Sequence, residues 1–204
     1  MYLLFGFIVS VLGSIMPSML NMTVVKFSLK SGKKSTLYLA AGISTVLIIQ
    51  SSIGIYLSNI LMQKSEYINL IQKVATAIFF VVSFYFFRKS VLKKKRKRKE
   101  RVQKSTAFFH GVVLSSLNIF AIPFYFTVVS FLIASHLFEF SYFGALFFAL
   151  GSALGTFSFL SLYAFVAKKI EYKMDFFATK MDFILGLITG LVALGNAIFI
   201  YING

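Results

Sequence analysis

The chain has 204 residues, of which 58% are hydrophobic and only 13% are charged, and its mean hydropathy is +0.85. Soluble domains carry about 25% charged residues and about 45–50% apolar ones, so this composition excludes an ordinary water-soluble domain. The sequence contains no Cys, which excludes disulfides, thiolate metal sites and a cysteine nucleophile. Most of the net charge of +15 is concentrated in 88–104, where eleven Lys or Arg accompany a single acid, Glu100.

Six apolar stretches lie between the charged segments, and each is long enough to cross the roughly 30 Å hydrocarbon core as a helix of about 20 residues. Their apolar character is continuous rather than alternating, which is typical of helices and not of barrel strands. The sequence therefore predicts an all-α integral membrane protein that forms one membrane domain. The predicted spans are 1–25, 36–62, 67–87, 106–134, 140–167 and 183–203.

The orientation follows from the basic residues, which concentrate in cytoplasmic connections. Nineteen of the 21 Lys and Arg lie in the first, third and fifth connections, and the other side has only Lys64 and Lys73. Both termini are therefore predicted to lie outside. Each half then contains three spans, so the two halves cross the membrane in opposite senses, as in transporters built from inverted repeats.

Each half opens with a helix that carries Ser, Asn and one of the two prolines. In the first helix a polar face is expected from the residues Ser10, Ser14, Ser18 and Asn21. Pro17 has no N–H and leaves one carbonyl of this helix without its helical partner. A polar stripe beside freed backbone is typical of a binding surface, and equally of a kinked helix that hydrogen-bonds to its neighbours.

The fourth helix repeats this pattern, with Pro123 following a face formed by Gly111, Ser115, Asn118, Ile122 and Tyr125. An Asn amide offers two donors and two acceptor lone pairs, enough to hold a carboxylate or an ammonium without a fixed charge. In the second helix Gln50 shares a face with Gly42, Gly54 and Ser58, and is either a site residue or an interhelical hydrogen bond. The glycines of the fifth and sixth helices favour close packing, and Thr156 lies among them.

All six carboxylates lie outside the predicted membrane cores, which favours a neutral or zwitterionic solute over a cationic one. Asp182 and His110, at the predicted cytoplasmic surface, are candidates for proton handling or are ordinary interface residues. No phosphate loop, metal-ligand cluster or Ser/His/Asp arrangement is present, so we expect no cofactor, no metal and no enzymatic activity.

The basic loop 88–104 contains no aromatic residues, which argues against nucleic-acid binding by base stacking. Beside a cytoplasmic membrane end it is expected to set topology and to attract anionic lipid head groups. An alternative to a transporter is therefore a non-transporting membrane protein whose basic loop docks a cytoplasmic partner or anionic lipid. A homo-oligomer is compatible with the sequence, which does not determine it.

The layout resembles the LysE/RhtB superfamily of small bacterial exporters over nearly the whole chain. Family members carry Pro-Gly-Pro in the first helix, where this sequence has Pro17 within Met16–Met19. In the fourth helix they carry Gly and then Asn-Pro-Lys, where this chain has Gly111 and then Asn118–Phe120, followed by Pro123. Gly42 fits the family's glycine in the second helix, but the acid often found after it is missing.

The resemblance implies secondary-active export of amino acids or similar small metabolites across the bacterial cytoplasmic membrane, by exchange with protons. The predicted substrate-binding residues are Pro17, Asn21, Gln50, Asn118 and Pro123. The predicted cycle is a rocking of one three-helix half against the other around a site at the membrane midplane.

Overall fold

The structure, a computed structural model, describes residues 1–15, 19–63, 104–118 and 120–203 together with positions 77, 80, 81, 83, 84 and 88. Regular structure in this described part is entirely helical, as predicted. The helices are α1 (Tyr2–Ile15), α2 (Met19–Ser31), α3 (Lys33–Gln63), α4 (Lys104–Ser116), α5 (Ala121–Ala134) and α6 (Tyr142–Asn203). In α6, side chains are described as far as Ile170 and at scattered later positions.

The chain divides into two compact units. The first comprises Met1–Met62 and Glu100–Tyr172, and the second comprises Gln63–Lys99 and Lys173–Gly204. The first unit therefore contains nearly all of α1 to α5 and the first half of α6. In the second unit, Ser83 and Ala193 are buried among the described residues. Every described contact of the candidate site below lies within the first unit.

Two helical stretches, Lys33–Leu61 in α3 and Tyr142–Ile170 in α6, are each long and apolar enough to cross a membrane. Two bent helix pairs are long and apolar enough only when each pair is taken together: the axes of α1 and α2 differ by 77°, and those of α4 and α5 by 63°. The described residues thus contain two spans, or four if each bent pair counts as one. The third predicted span, 67–87, lies largely outside the described residues, and the sixth, 183–203, is helical backbone at the end of α6.

The first and fifth connections are more helical than the charge pattern alone suggests. The four lysines of the first connection lie in the last turns of α2 and the first turn of α3. Gly32 separates these helices with a φ of +82°, a left-handed conformation that suits glycine because it has no Cβ. The segment 168–182, expected as the fifth connection, is helical backbone within α6.

Both helix breaks coincide with a proline. Pro123 is the third residue of α5, in the first turn, where its missing N–H removes no helical hydrogen bond. Leu117, Asn118 and Phe120 lie outside the α-helices, and the Phe124 N–H donates to the Phe120 carbonyl over 3.1 Å in the first turn of α5. The first break falls between Ile15 and Met19, and Pro17 within it lies outside the described residues.

Two parallel helix contacts organise the first unit. Leu3 and Phe7 of α1 lie against Gly151 and Gly155 of α6 respectively, so the two helices run in the same direction. We call this the α1–α6 contact. The α3–α4/α5 contact is also parallel, because Gly42, Gln50 and Ser58 meet Phe108, Ser115 and Ser130 in the same order.

An aromatic cluster fills the space between these contacts. The Phe148 ring meets the rings of Phe138 and Tyr125 edge-on, at centroid distances of 5.7 and 6.3 Å. Tyr2 packs edge-on against Phe138 in turn, at 4.9 Å. This cluster ties α5 to α1 and α6, and so fixes the helix that follows the second break.

Candidate site at the α4–α5 break

The polar face of α3 and the polar face of the fourth predicted span pack against each other. A Cβ atom at Gly42 would collide with the Phe108 carbonyl oxygen, and one at Gly111 would collide with the Leu39 carbonyl oxygen. Glycine is required at both positions because the two backbones approach this closely. The two faces that the sequence singled out separately are thus two sides of one contact.

Gln50 of α3 lies in this contact and faces the C-terminal end of α4. Its Nε2 donates to the Ser115 carbonyl over 3.0 Å and to the Asn118 carbonyl over 3.3 Å. The Ser115 carbonyl also accepts from the Asn118 N–H and the Asn118 carbonyl from the Ala121 N–H, so the Gln50 amide adds a second donor to two carbonyls at this helix end. The engaged Nε2 fixes the amide orientation, so Oε1 is a pure acceptor. Gln50 is 7% exposed, and among the described residues Oε1 has no hydrogen-bond partner.

Two further polar side chains lie at the same helix end. The Ser115 hydroxyl is completely buried and has no partner in the described part of the chain. The Asn118 N–H donates to the Ser115 carbonyl over 2.9 Å, which places both residues in one turn. Asn118 is half-buried, and its side-chain amide makes no hydrogen bond within the described ranges. Burying polar groups without partners is unfavourable, so this cluster requires an explanation.

The first break is closed differently. Asn21, at the start of α2, is buried and donates from Nδ2 to the Ser14 carbonyl near the end of α1, over 2.7 Å. Its amide therefore bridges the break, and acts on the backbone of its own bent pair. Pro17, the other site residue expected here, lies outside the described residues. The structure does not bring Asn21 together with Gln50 and Asn118 through any described contact.

The remaining predicted residues are more peripheral. Pro123 is half-buried and lies in the first turn of α5, just after the cluster, so it shapes the break. His110 is exposed on α4, and its Nδ1 lies 2.8 Å from the Thr106 carbonyl of its own helix. Asp182 belongs to the helical backbone of α6, and its side chain lies outside the described residues. Proton handling by either residue stays a prediction.

The sequence did not predict a second buried polar cluster, which joins α1, α5 and α6. The hydroxyls of Ser10 in α1 and Thr156 in α6 hydrogen-bond to each other, and Ser152 donates to the Gly6 carbonyl over 3.3 Å. The Tyr125 hydroxyl of α5 interacts with all three of these side chains. Ser10 and Tyr125 were assigned to polar faces, but Ser152 looks like one small residue among many. Only long-range pairing identifies it as polar packing.

A groove of about 310 Å³ lies elsewhere on the first unit, between α1, α3 and α6. Apart from Ser44 and Thr45 its walls are apolar, and include Ile48, Leu154 and Phe157. The groove opens to the surface and contains none of the predicted site residues. A surface with this composition suits lipid chains, so we place the candidate polar site at the α4–α5 break instead.

The candidate site contains amides and hydroxyls but no ionisable side chain. Within the described ranges, no group of three or more His, Asp or Glu residues is arranged to hold a metal ion. The chemistry available at Gln50, Ser115 and Asn118 is hydrogen bonding to a polar solute. Such an arrangement suits the binding and orientation of a polar solute.

The family comparison agrees with a binding and transport role. The family model described as LysE type translocator matches residues 11–204. No curated protein and no solved structure matches the chain. Since the family match covers nearly the whole sequence, including every residue of the candidate site, this chain belongs to the LysE type translocator family of membrane transport proteins.

Proposed function

We propose that this protein exports amino acids or similar small neutral or zwitterionic metabolites across the cytoplasmic membrane. The observation that carries the proposal is the buried, uncharged hydrogen-bonding cluster at the α4–α5 break. Polar groups within a membrane span need a partner or a purpose, and substrate sites of secondary transporters lie where helices are interrupted. Membership of a translocator family supports the same conclusion.

The nature of the groups favours a solute without net charge. A cationic substrate would need a buried carboxylate to offset its charge, and all six acids of the sequence lie outside the predicted spans. Amide and hydroxyl groups satisfy both ends of a zwitterion by hydrogen bonds alone. The partial negative charge at the C-terminal end of α4 favours an ammonium group there.

For the transport cycle we propose alternating access, driven by exchange with protons. Each half contributes one broken helix, α1–α2 and α4–α5, and breaks of this kind let a half-helix move without unfolding. The close glycine contacts hold α1 on α6 and α4 on α3. Each of these contacts joins a helix of one predicted half to a helix of the other. In place of the rocking of one three-helix half against the other, we therefore propose that the α1–α6 pair rocks against the α3–α4 pair and exposes the site to either side of the membrane in turn.

We also propose six spans with both termini outside and three basic connections inside. The two parallel contacts support this topology, because the first and fifth spans, and likewise the second and fourth, must run in the same direction. Single cysteines at Ser90 and Ser135, in a chain that lacks Cys, provide the test. Impermeant reagents should reach Ser90→Cys from inside and Ser135→Cys from outside, and labelling of both from one side would contradict six spans.

The test of export is efflux from cells preloaded with a pool of amino acids and dipeptides. Cells with vector, wild type and Asn118→Ala are compared at equal expression. Wild type should release one class of compound faster, and Asn118→Ala should remove this gain. If no compound leaves faster than from vector cells, amino-acid export is wrong, and the basic loop becomes the next region to test for a partner.

A further inference from the structure

Two buried polar atoms that have no partner among the described residues lie on facing helices at the α4–α5 break. Gln50 Oε1 is fixed as an acceptor because Nε2 of the same amide is held by two backbone carbonyls. The Ser115 hydroxyl belongs to the residue whose carbonyl accepts one of those bonds. The two residues are thus joined at the Ser115 carbonyl, and among the described residues they offer one unused acceptor and one unused hydroxyl that can donate or accept.

We propose that Gln50 Oε1 and the Ser115 hydroxyl form the subsite for a primary ammonium group of the transported solute, with the Asn118 amide receiving its carboxylate. This inference rests on the proposed function and adds the substrate feature that is recognised. An ammonium has three donors and no acceptor, so it suits a fixed carbonyl acceptor, a hydroxyl oxygen and the negative end of a helix. A carboxylate, which only accepts, finds no donor at Gln50 Oε1.

Packing alone gives a poorer account of the same residues. Gln50 as a helix cap needs only its Nε2, and a methyl group at position 115 would fill a fully buried site without any unpartnered hydroxyl. The neighbouring Ser116 shows the ordinary arrangement, since its exposed hydroxyl donates to the Val112 carbonyl of its own helix over 2.9 Å. Ser115 thus differs from Ser116 in burial and in its lack of a partner.

The primary test compares Ser115→Ala with the matched control Ser116→Ala in the efflux measurement, using the same amino-acid pool. Loss of one hydrogen bond to a charged group should reduce export by about tenfold or more in Ser115→Ala. Its melting temperature in detergent should be unchanged or higher, because the substitution removes an unpartnered buried hydroxyl. Ser116→Ala should export as wild type does.

The second test identifies the group that is recognised, by the melting temperature of the purified full-length chain. The probes are L-alanine, L-threonine and L-leucine, their amides, which keep the ammonium, and their des-amino acids, which lack it. Stabilisation should occur with amino acids and amides and not with des-amino acids, and Gln50→Met should abolish it. Because Gln50→Met also removes a helix cap, Ser115→Ala provides the independent variant if the former does not fold.

The outcomes separate this inference from the proposed function. If wild type exports no amino acid, the proposed function fails and this inference fails with it. If wild type exports amino acids and Ser115→Ala does so equally well, the ammonium subsite is wrong while export stands. Equal stabilisation by a des-amino acid and its amino acid, or stabilisation by no compound with an ammonium group, would also overturn the subsite.

Discussion

The α1–α6 contact and the α3–α4/α5 contact share the same glycine packing but differ in the hydrogen bonding of their polar side chains. Each is a parallel pair in which a glycine on either helix lies against a carbonyl of the other: Gly6 and Gly151 in one, Gly42 and Gly111 in the other. Each has a buried polar layer one or two turns further along. In the α1–α6 contact the described hydroxyls of this layer have partners, whereas in the other layer Gln50 Oε1 and the Ser115 hydroxyl have none among the described residues.

From this difference we infer that the first polar layer is packing and that the second is the candidate binding site. Interhelical hydrogen bonds in membranes each contribute only about 0.6 kcal/mol, so a hydroxyl cluster whose members bond to each other stabilises the helix contact modestly. A buried polar cluster without partners forms no such bond, and the desolvation of its groups lowers the stability of the fold. Substitutions in the first layer should therefore change stability, and substitutions in the second should change transport.

The largest loss of stability is expected at the glycines of the close backbone contacts, the feature that the two contacts share. Gly42→Ala places a Cβ atom against the Phe108 carbonyl oxygen and should cost about 1–3 kcal/mol of stability, read as a lower melting temperature in detergent. Gly6→Ala should behave similarly, because its Cβ meets the Phe148 carbonyl. The control is Gly195→Ala, whose Cβ meets nothing within 4 Å. Equal melting temperatures for Gly42→Ala and Gly195→Ala would contradict the close contact.

Asn21 and Asn118 provide a matched pair at the two breaks. Asn21→Ala removes the donor to the Ser14 carbonyl and should lower stability by about 1 kcal/mol, with a parallel loss of folded protein. Asn118→Ala should leave the free energy of unfolding within about 0.5 kcal/mol of wild type while abolishing export. Melting and efflux measured on the same preparations decide this. The assignment is reversed if Asn118→Ala is the unstable variant and Asn21→Ala is stable but inactive.

Tyr125→Phe tests the satisfied layer with a small change. The variant keeps the ring that packs against Phe148 and loses the hydroxyl that interacts with Ser10, Ser152 and Thr156. We expect a loss of about 0.6 kcal/mol in stability and export close to that of wild type. Loss of export at an unchanged melting temperature would contradict this expectation and would show that the polar layer of the α1–α6 contact belongs to the transport site.

The smallest effect is expected from Ser44→Ala, which pairs with Ser115→Ala. Both serines are buried and have a hydroxyl without a partner among the described residues, but Ser44 lines the apolar groove. Export by Ser44→Ala should stay within about twofold of wild type, since a site for a polar solute needs more than one polar group. If Ser44→Ala stops export and Ser115→Ala does not, the substrate site is in the groove.

The polar residues show how far a single sequence predicts a site. Spacing alone placed Gly42, Gln50 and Ser58 on one face, and Gly111, Ser115 and Asn118 on another, and these faces do meet. The sequence could not tell which face meets which, because helix pairing joins residues about 65 to 72 positions apart in this contact. For the same reason Asn21 and Asn118 look equivalent in sequence, although one caps its own bent pair and the other has a side chain without a described partner.

The sequence by itself determined the helical class, the membrane environment and the family, because composition and hydrophobic run length are properties of the chain before it packs. It also located both helix breaks, since proline acts on its own backbone. Only the tertiary structure decided which amide nitrogen is already engaged and which buried oxygen has no partner. Whether a buried polar group has a hydrogen-bond partner depends on which groups packing brings together. This property distinguishes the hydrogen-bonded layer of the α1–α6 contact from the candidate site.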